Sequence, residues 1–166
     1  MSGITEDVFA STKGESCYAR ENLAWYVCGP MTGVPRFNYP LFELVTAFLR
    51  LDQGRTVINP AELDSPEMQS YARLSCDGDS ALLAKYTKET WGDVLARDVR
   101  MIEREVGHFV LLPGWEKSRG ARLEIFVGLL VGIQRFWWVL FQGDGAVLLY
   151  SADVPTIRQV IRDNMP

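Results

Sequence analysis

Hydrophobic positions along the chain form short continuous runs that alternate with longer segments of helical spacing. A continuous apolar run that ends in glycine or proline is typical of a buried parallel strand, whereas apolar residues three and four positions apart indicate an amphipathic helix. The runs predict strands at residues 23–28, 55–58, 108–112 and 136–141, with a fifth candidate at 146–150. The helical pattern predicts helices at residues 40–51, 91–106, 118–132 and 153–163.

This alternation predicts the fold class. Strands separated by helices at this spacing form βαβ crossovers, so we expect an α/β fold: a single Rossmann- or flavodoxin-like domain with a five-stranded, mostly parallel sheet flanked by helices. Such sheets bind ligands beyond the carboxyl ends of their strands, which directs attention to the loops after Cys28, Ile58 and Leu112.

Two segments depart from the pattern. Residues 1–20 have no sustained periodicity and are expected to form an N-terminal arm or poorly ordered leader, which leaves residues 21–166 for the domain. Residues 61–88 are polar and interrupted by proline and glycine. We expect them to form a long excursion with one short helix near residues 81–86, and long loops of this kind are usually functional lids or disordered.

Composition and charge narrow the classes of function. The 166 residues are 48% hydrophobic and 23% charged, which is ordinary for a globular domain. The formal net charge of −4 argues against non-specific nucleic-acid binding but leaves anionic ligands open. The three cysteines lack the spacing of a disulfide framework or a zinc site. The chain shows neither the apolar run of a signal peptide nor the ~18 apolar residues of a membrane span, so we expect a cytoplasmic protein in a reducing compartment.

The turn after the first strand is the first candidate for chemistry. Two glycines and a hydroxyl group can bring backbone N–H groups close to an anion or a sugar, although a bare G-x-x-x-G segment is more often only a tight βα turn. Phe37 and Asn38 could add an aromatic ring and an amide to the same pocket; alternatively Asn38 caps the helix that Pro40 begins. The candidate residues of the turn are Gly29, Pro30, Met31, Thr32 and Gly33.

The helix after the third strand carries the second candidate. Ser118 is the predicted N-cap, and the free N–H groups of a helix N-terminus attract an anion, to which Arg119 could add charge. Glu124 stands out because the helix around it is apolar on nearly all sides, and a buried carboxylate needs a partner or a function. Residues four apart share a helix face, so Glu124 lies on a face of glycine residues, which leaves space for either another backbone segment or a ligand. The other residues of this face are Gly120, Gly128 and Gly132.

Asp98 is the third candidate. It occupies a core-facing position in the helical stripe of residues 91–106, where leucine or valine is expected. One buried acid is often a structural hydrogen-bonding group, but two buried acids opposite strand ends of one sheet indicate a site. The one histidine, His108, lies at a strand start and is better explained by packing. Neither a catalytic triad nor a metal cluster is indicated, and we expect no metal and no cofactor.

Several segments together resemble a known family. The segments YVCGPMTG (26–33), FNYP (37–40), NPAE (59–62), RD (97–98) and LPGWEKSRGARLE (112–124) are similar to small uncharacterised domains, common in phage and bacterial genomes, of the nucleoside 2-deoxyribosyltransferase-like superfamily. The resemblance runs from about Tyr26 to Leu140; apart from the NPAE segment, residues 61–90 match nothing in it, and neither do residues 143–166. It adds Asn59 and Trp115, which lie in these segments, to the expected substrate-binding residues.

The resemblance implies a set of residue functions. Characterised relatives are nucleoside deoxyribosyltransferases and 2′-deoxynucleoside 5′-monophosphate N-glycosidases with a five-stranded parallel sheet. By motif position, Glu124 is the nucleophile that attacks the anomeric carbon, Asp98 supports it, and Tyr26 helps to hold it. The Ser118-x-Gly120 turn matches a segment that contacts a 5′-phosphate. The resemblance also implies a homodimer or higher oligomer, which we expect to form through apolar helix faces such as residues 126–131.

The expected reaction is cleavage of the N-glycosidic bond of a (deoxy)nucleoside 5′-monophosphate by double displacement. A carboxylate nucleophile suits this reaction because the transition state resembles an oxocarbenium ion and a covalent intermediate divides one difficult step into two. Three alternatives remain open: a nucleoside 2-deoxyribosyltransferase, a non-catalytic protein that sequesters a nucleotide, and an NAD glycohydrolase. Release of a free base separates sequestration from the enzymes, and the identity of that base separates the enzymes from one another.

Overall fold

The computed structural model describes residue 20 and residues 22–85, 87–143 and 145–164. The N-terminal arm expected at residues 1–20 therefore lies outside the described residues, except for Arg20.

Five strands form one sheet in the order β2-β1-β3-β4-β5. β1 pairs in parallel with β2 and β3, β3 pairs in parallel with β4, and β5 is antiparallel to β4. This confirms the expected α/β fold with a mostly parallel, five-stranded sheet. β1 and β3 are buried along their whole length, which explains why their sequences are continuous apolar runs. The strands are β1 (Ala24–Cys28), β2 (Val57–Ile58), β3 (Val106–Leu111), β4 (Arg135–Phe141) and β5 (Val147–Ala152).

In the described residues, five α-helices accompany the sheet, and the hydrophobic pattern predicted four of them. They are α1 (Tyr39–Ala47), α2 (Pro66–Leu74), α3 (Trp91–Glu105), α4 (Arg119–Leu130) and α5 (Val154–Asn164). In the described part of the chain, no helix combines the length and the apolar character needed to cross a membrane.

The prediction for residues 61–88 was wrong in one respect, because it missed α2. This helix begins at Pro66, after the N-cap Ser65, whose hydroxyl accepts a hydrogen bond from the Met68 N–H at 3.2 Å. The buried residue of α2 is the small Ala72, so the helix lacks a strong apolar stripe. Its detectable signal was the serine–proline pair that starts it. A 3₁₀ turn at Ser80–Lys85 lies near the short helix that was predicted.

The side chains of β1 alternate between two cores. Trp25 and Val27 belong to the cluster under α1, whereas Tyr26 and Cys28 belong to the cluster shared with α3, α4 and α5. The chain moves from β1 to β2 in one direction across the sheet, and from β2 past β1 to β3 in the other. Because both connections are right-handed crossovers, their helices lie on opposite faces of the sheet. Tyr26 and Cys28 therefore point toward the face that carries α3 and α4.

Gly128 allows α4 to lie close to the sheet. A Cβ atom added at this position would collide with the ring of Phe109 on β3. The absence of a side chain at Gly128 therefore sets how closely α4, and the residues on its first turns, approach the ends of β1 and β3.

Replacing Gly128 by alanine should lower the free energy of unfolding by roughly 1–3 kcal/mol, because the methyl group overpacks α4 against Phe109. Gly120→Ala is the matched control on the same helix, since a Cβ atom there meets nothing within 4 Å and alanine favours a helix over glycine. Chemical denaturation measures both variants. If Gly128→Ala is as stable as Gly120→Ala, close packing at Gly128 does not set the position of α4.

Candidate active site at the carboxyl edge of the sheet

A cavity of about 960 Å³ opens beyond the carboxyl ends of β1 and β3. The chain passes from β1 to β2 on one side and returns to β3 on the other, so this edge is the switch point at which parallel sheets bind ligands. The volume is within the range of small-molecule sites. The walls are the turn after β1, the first turns of α3 and α4, residues from α1 and α2, and the segment that precedes α3.

Glu124 lies on the second turn of α4 and lines this cavity. Its Oε2 accepts a hydrogen bond from the Sγ of Cys28, the last residue of β1, at 3.2 Å. Burial raises the pKa of Glu124 to about 8, and the negative charge of Asp98 acts in the same direction. The carboxyl group is therefore largely protonated at neutral pH in the ligand-free protein, and positive charge developing nearby would favour its ionised, nucleophilic form.

Tyr26 and Cys28 are the two β1 side chains that interact with Glu124. Burial, reinforced by the charge of Glu124, raises the pKa of both side chains, so both remain protonated donors at neutral pH. Their interactions with Glu124 lower the pKa of that carboxyl group. Within the described residues, the Tyr26 hydroxyl forms no hydrogen bond of ordinary geometry. It is a buried donor available to the Glu124 carboxylate.

Asp98 occupies the core-facing position on α3 that the sequence predicted, with its side chain 6% exposed. Nε of Arg97 donates a hydrogen bond to Asp98 Oδ1 at 3.1 Å. Burial raises the pKa of Asp98, and the positive charge of Arg97 opposes that shift. Asp98 and Glu124 are thus two acids in one cavity, each with a raised pKa, an arrangement that is frequent in acid–base sites.

Asp64 and Tyr39, which are not among the predicted site residues, extend this network of polar contacts. Oδ1 of Asp64 lies 3.9 Å from Nη2 of Arg97, and Oδ2 of Asp64 accepts a hydrogen bond from the Tyr39 hydroxyl. Asp64 lies just before α2, and Tyr39 begins α1. The sequence shows Asp64 only as part of a polar, proline-containing turn, and no local signal indicates that it folds back toward α3.

The first turn of α4 forms a cationic end of the cavity. Ser118 is its N-cap, as predicted, and Oγ accepts a hydrogen bond from the Ala121 N–H at 3.3 Å. The guanidinium carbon of Arg119 lies 5.4 Å from the centre of the Trp91 ring, which joins the first turns of α4 and α3. The free N–H groups at the start of α4, together with the positive charges of Lys117 and Arg119, suit an anionic ligand group. The cavity residues of this segment are Lys117, Ser118, Arg119 and Gly120.

The glycines of α4 differ in what surrounds them. Gly128 permits packing on Phe109, whereas a side chain at Gly120 would meet nothing within 4 Å. Gly120 shares a helix face with Glu124 and lines the cavity, so the open space beside it is available to a ligand. Two expectations were stated for this helix face. Close packing applies to Gly128, and access for a ligand applies to Gly120.

Phe37 enters the cavity wall through a strained segment. Arg36, Phe37 and Asn38 have φ values of 55°, 49° and 60°, a left-handed conformation that costs a non-glycine residue about 1–2 kcal/mol. The Arg36 N–H donates to the Ser75 carbonyl oxygen at 2.7 Å, and Asn38 Nδ2 donates to the Pro30 carbonyl oxygen at 2.9 Å. Asn38 therefore ties this segment to the turn after β1, and its side chain does not cap α1.

The remaining predicted substrate-binding residues fall into two groups. Those that line the cavity are Gly29, Pro30, Met31, Thr32 and Phe37. Those that lie outside the lining are Gly33, Asn38, Asn59 and Trp115. The Gly33 N–H donates to the Gly78 carbonyl oxygen at 3.0 Å, Asn59 Oδ1 accepts from the Ala61 N–H at 3.0 Å, and Trp115 is buried. These residues brace the loops that form the walls.

His108 does not belong to this site. It is buried in the sheet, where its ring stacks on that of Trp25 with centres 4.5 Å apart. Among the residues that the structure describes, no group of three His, Cys, Asp or Glu side chains is arranged to hold a metal ion.

Comparison with known proteins identifies the family. The model of a family described as a domain of unknown function, DUF4406, matches residues 23–134. The chain belongs to the DUF4406 family. No curated protein and no solved structure matches it.

The DUF4406 match contains the whole candidate site. Every residue that lines the cavity, from Val27 to Glu124, falls inside the matched span, whereas β4, β5 and α5 follow it. The part of this DUF4406 chain that its family model describes is therefore the part that builds the cavity.

Glu124→Gln should change how stability depends on pH. The pKa of Glu124 is about 8 in the folded protein and its ordinary value is 4.5, so the folded state binds more protons between these pH values and loses stability as pH rises. Relative to the variant, the free energy of unfolding of the wild type should fall by up to about 4 kcal/mol from pH 4.5 to pH 8. Urea denaturation across this range measures the difference. Parallel curves for the two proteins would show that Glu124 titrates normally.

Proposed function

We propose that this DUF4406 domain is an N-glycosidase that cleaves the N-glycosidic bond of a (deoxy)nucleoside 5′-monophosphate, with Glu124 as the nucleophile. The observation that carries the proposal is one cavity that combines a buried carboxyl group at Glu124, a second acid at Asp98 and the N-terminus of α4. The resemblance of the sequence to the nucleoside 2-deoxyribosyltransferase-like superfamily supports the same reaction, since its nucleophile matches Glu124.

The reaction needs two displacements at C1′. In the first, the ionised Glu124 carboxylate attacks C1′, the C1′–N bond breaks, and its electron pair leaves with the base, which takes a proton from Asp98. In the second, water attacks C1′, Asp98 accepts a proton from that water, and the C1′–O bond to Glu124 breaks to release the sugar phosphate. A second base in place of water makes the same site a deoxyribosyltransferase.

The surroundings of Glu124 fit this reaction. Cys28 donates to Oε2 of Glu124, which orients the carboxyl group at the end of β1. The raised pKa of Glu124 means that its charge is poorly stabilised in the ligand-free protein. An oxocarbenium-like transition state supplies the missing positive charge at the moment of reaction, so the carboxylate is better matched to the transition state than to the ground state.

The first turn of α4 supports a phosphorylated substrate. Ser118, Gly120 and the free backbone N–H groups provide donors, and Lys117 and Arg119 add positive charge. The cavity is also lined by the acids Asp64 and Asp98, both paired with Arg97. A nucleotide, with an anionic phosphate at one end and hydrogen-bonding groups on its sugar and base, complements these two sets of groups.

The proposal also includes a homodimer or higher oligomer that acts in the cytoplasm, or in the host cytoplasm if the protein is encoded by a phage. On α4, Phe126, Val127 and Val131 are half-buried against the chain's own core. Larger exposed apolar side chains lie on β4 and β5, where Leu140 and Tyr150 are about half exposed. The end of the sheet formed by β4 and β5 therefore supports association better than the helix face at residues 126–131.

One observation favours a second candidate, a non-catalytic protein that sequesters a nucleotide. With a pKa of about 8, Glu124 is mostly protonated at pH 7 and can donate a hydrogen bond to a ligand rather than attack it. The same cavity would serve both functions, and release of a free base separates them.

The catalytic proposal predicts base release that depends on Glu124. Wild-type protein incubated with nucleoside monophosphates, nucleosides and NAD should release a free base from at least one of them, detected by chromatography. Glu124→Gln should abolish release while ligand binding persists, and Asp98→Asn should slow the chemical step by roughly 10²-fold or more. The exposed Glu105→Gln, on α3, is the control and should retain full activity. An active Glu124→Gln variant would refute the mechanism, and binding without release in the wild type would favour sequestration.

Gly120→Ala should weaken the preference for monophosphates over nucleosides. The added methyl group would lie in the open space beside Ser118, on the face of Glu124, and obstruct a phosphate held by the helix start. Loss of one charge-assisted hydrogen bond lowers kcat/KM for the monophosphate by about tenfold or more. This variant is cleaner than Ser118→Ala, which also removes the N-cap of α4. Nucleoside cleavage is the internal control, and an unchanged ratio of the two rates would place the phosphate elsewhere.

A further inference from the structure

One side of the cavity is an apolar chamber between α1 and α2. Phe42 on α1 and Met68 and Ala72 on α2 line it, together with Phe37 from the left-handed segment. Met68 and Ala72 are four residues apart and therefore share a helix face. We call this part of the cavity the side chamber. Aromatic and aliphatic walls of this kind suit a planar ring rather than a sugar or a phosphate.

The polar wall next to the side chamber holds an acceptor and a donor that meet only as a long ion pair and form no hydrogen bond within the described part of the chain. The Asp64 side chain is 8% exposed, and its Oδ2 is occupied by the Tyr39 hydroxyl, but its Oδ1 makes no hydrogen bond within the described part of the chain. Arg97 uses Nε for Asp98 and Nη1 for the Leu63 carbonyl oxygen. Its Nη2 lies 3.9 Å from Asp64 Oδ1, too far for a hydrogen bond.

Oδ1 of Asp64 and Nη2 of Arg97 face each other at 3.9 Å as a long ion pair, so each keeps hydrogen-bonding capacity that a ligand group in the cavity can use. Tyr39 restrains Asp64 from one side, and Asp98 and Leu63 restrain Arg97 from the other. The two atoms that remain available, Oδ1 and Nη2, are thus held side by side. Planar heterocycles with an N–H donor next to a ring nitrogen or carbonyl acceptor match such a pair.

We propose that the side chamber holds the heterocyclic base of the substrate and that Asp64 and Arg97 are its specificity-determining residues. Asp64 Oδ1 accepts a hydrogen bond from an N–H of the base, and Arg97 Nη2 donates to the neighbouring acceptor. The identification of the ring as the base of a nucleotide rests on the proposed function. The recognition of a planar ring with this donor–acceptor edge stands on the side chamber itself. The base then lies toward α1 and α2, and the phosphate lies toward α4.

The test is the binding of free bases, which needs no turnover. Wild-type protein is titrated by calorimetry with adenine, guanine, cytosine, uracil and nicotinamide, and with quinoline as a flat bicyclic ring that has no N–H donor. At least one base should bind more tightly than quinoline. Asp64→Asn keeps the shape but replaces a carboxylate acceptor by an amide, so it should weaken the preferred base by about tenfold or more and leave quinoline unchanged.

Two further variants keep the test decisive. Glu62→Gln removes an exposed carboxylate that pairs with Arg50 outside the cavity, and should leave all affinities unchanged. Met68→Trp fills the side chamber without altering its polar wall, and should weaken bases and quinoline alike even if Asp64→Asn folds poorly. The inference is overturned if no base binds better than quinoline, or if Asp64→Asn folds and binds every base as the wild type does.

Failure of this inference and failure of the proposed function give different results. If bases bind through Asp64 but no nucleotide is cleaved, the side chamber stands and the catalytic proposal falls. If nucleotides are cleaved and Asp64→Asn leaves both the rates and the base preference unchanged, Glu124 chemistry stands and the assignment of the side chamber falls.

Discussion

The carboxyl group of Glu124 is held where its charge is poorly solvated, and the candidate site is organised around that constraint. Burial and the neighbouring Asp98 disfavour ionisation, and the Cys28 thiol and the Tyr26 hydroxyl offset part of this effect. The result is a carboxyl group with a pKa of about 8, close to the pH at which it would act. Both protonation states of such a group are accessible near neutrality, so it can act either as an ionised nucleophile or as a protonated hydrogen-bond donor to a ligand.

The fold places these groups together through two simple geometric rules. Side chains alternate along β1, so Tyr26 and Cys28 point to the face that carries α4, while Trp25 and Val27 pack under α1. Gly128 lets α4 approach the sheet closely, which brings Glu124 to the end of β1. The switch point between β1 and β3 then supplies the cavity that these groups face.

The sequence predicted most of the fold because β1 and β3 are buried along their whole length, and because the helices other than α2 are either apolar along one stripe or, in α4, apolar on nearly all sides. It also predicted that Asp98 faces the core and that Ser118 caps α4, since both depend on local pattern. It did not predict α2, whose polar surface and small buried residue leave almost no periodic signal. For the same reason it missed Asp64, whose position depends on a contact with Tyr39 and Arg97 across segments distant in the chain. Long-range pairing of this kind has no signature in a single sequence.

The central claim is that Glu124 forms a covalent bond to the substrate sugar. The direct measurement uses nucleoside monophosphates with fluorine at the 2′ position, which slows both displacements by destabilising the oxocarbenium-like transition states and allows the intermediate to accumulate. After an acid quench, mass spectrometry of the intact chain and of its peptides should show one added sugar phosphate, attached at Glu124. Release of base with no adduct on the protein, or with the adduct on another residue, would contradict the account.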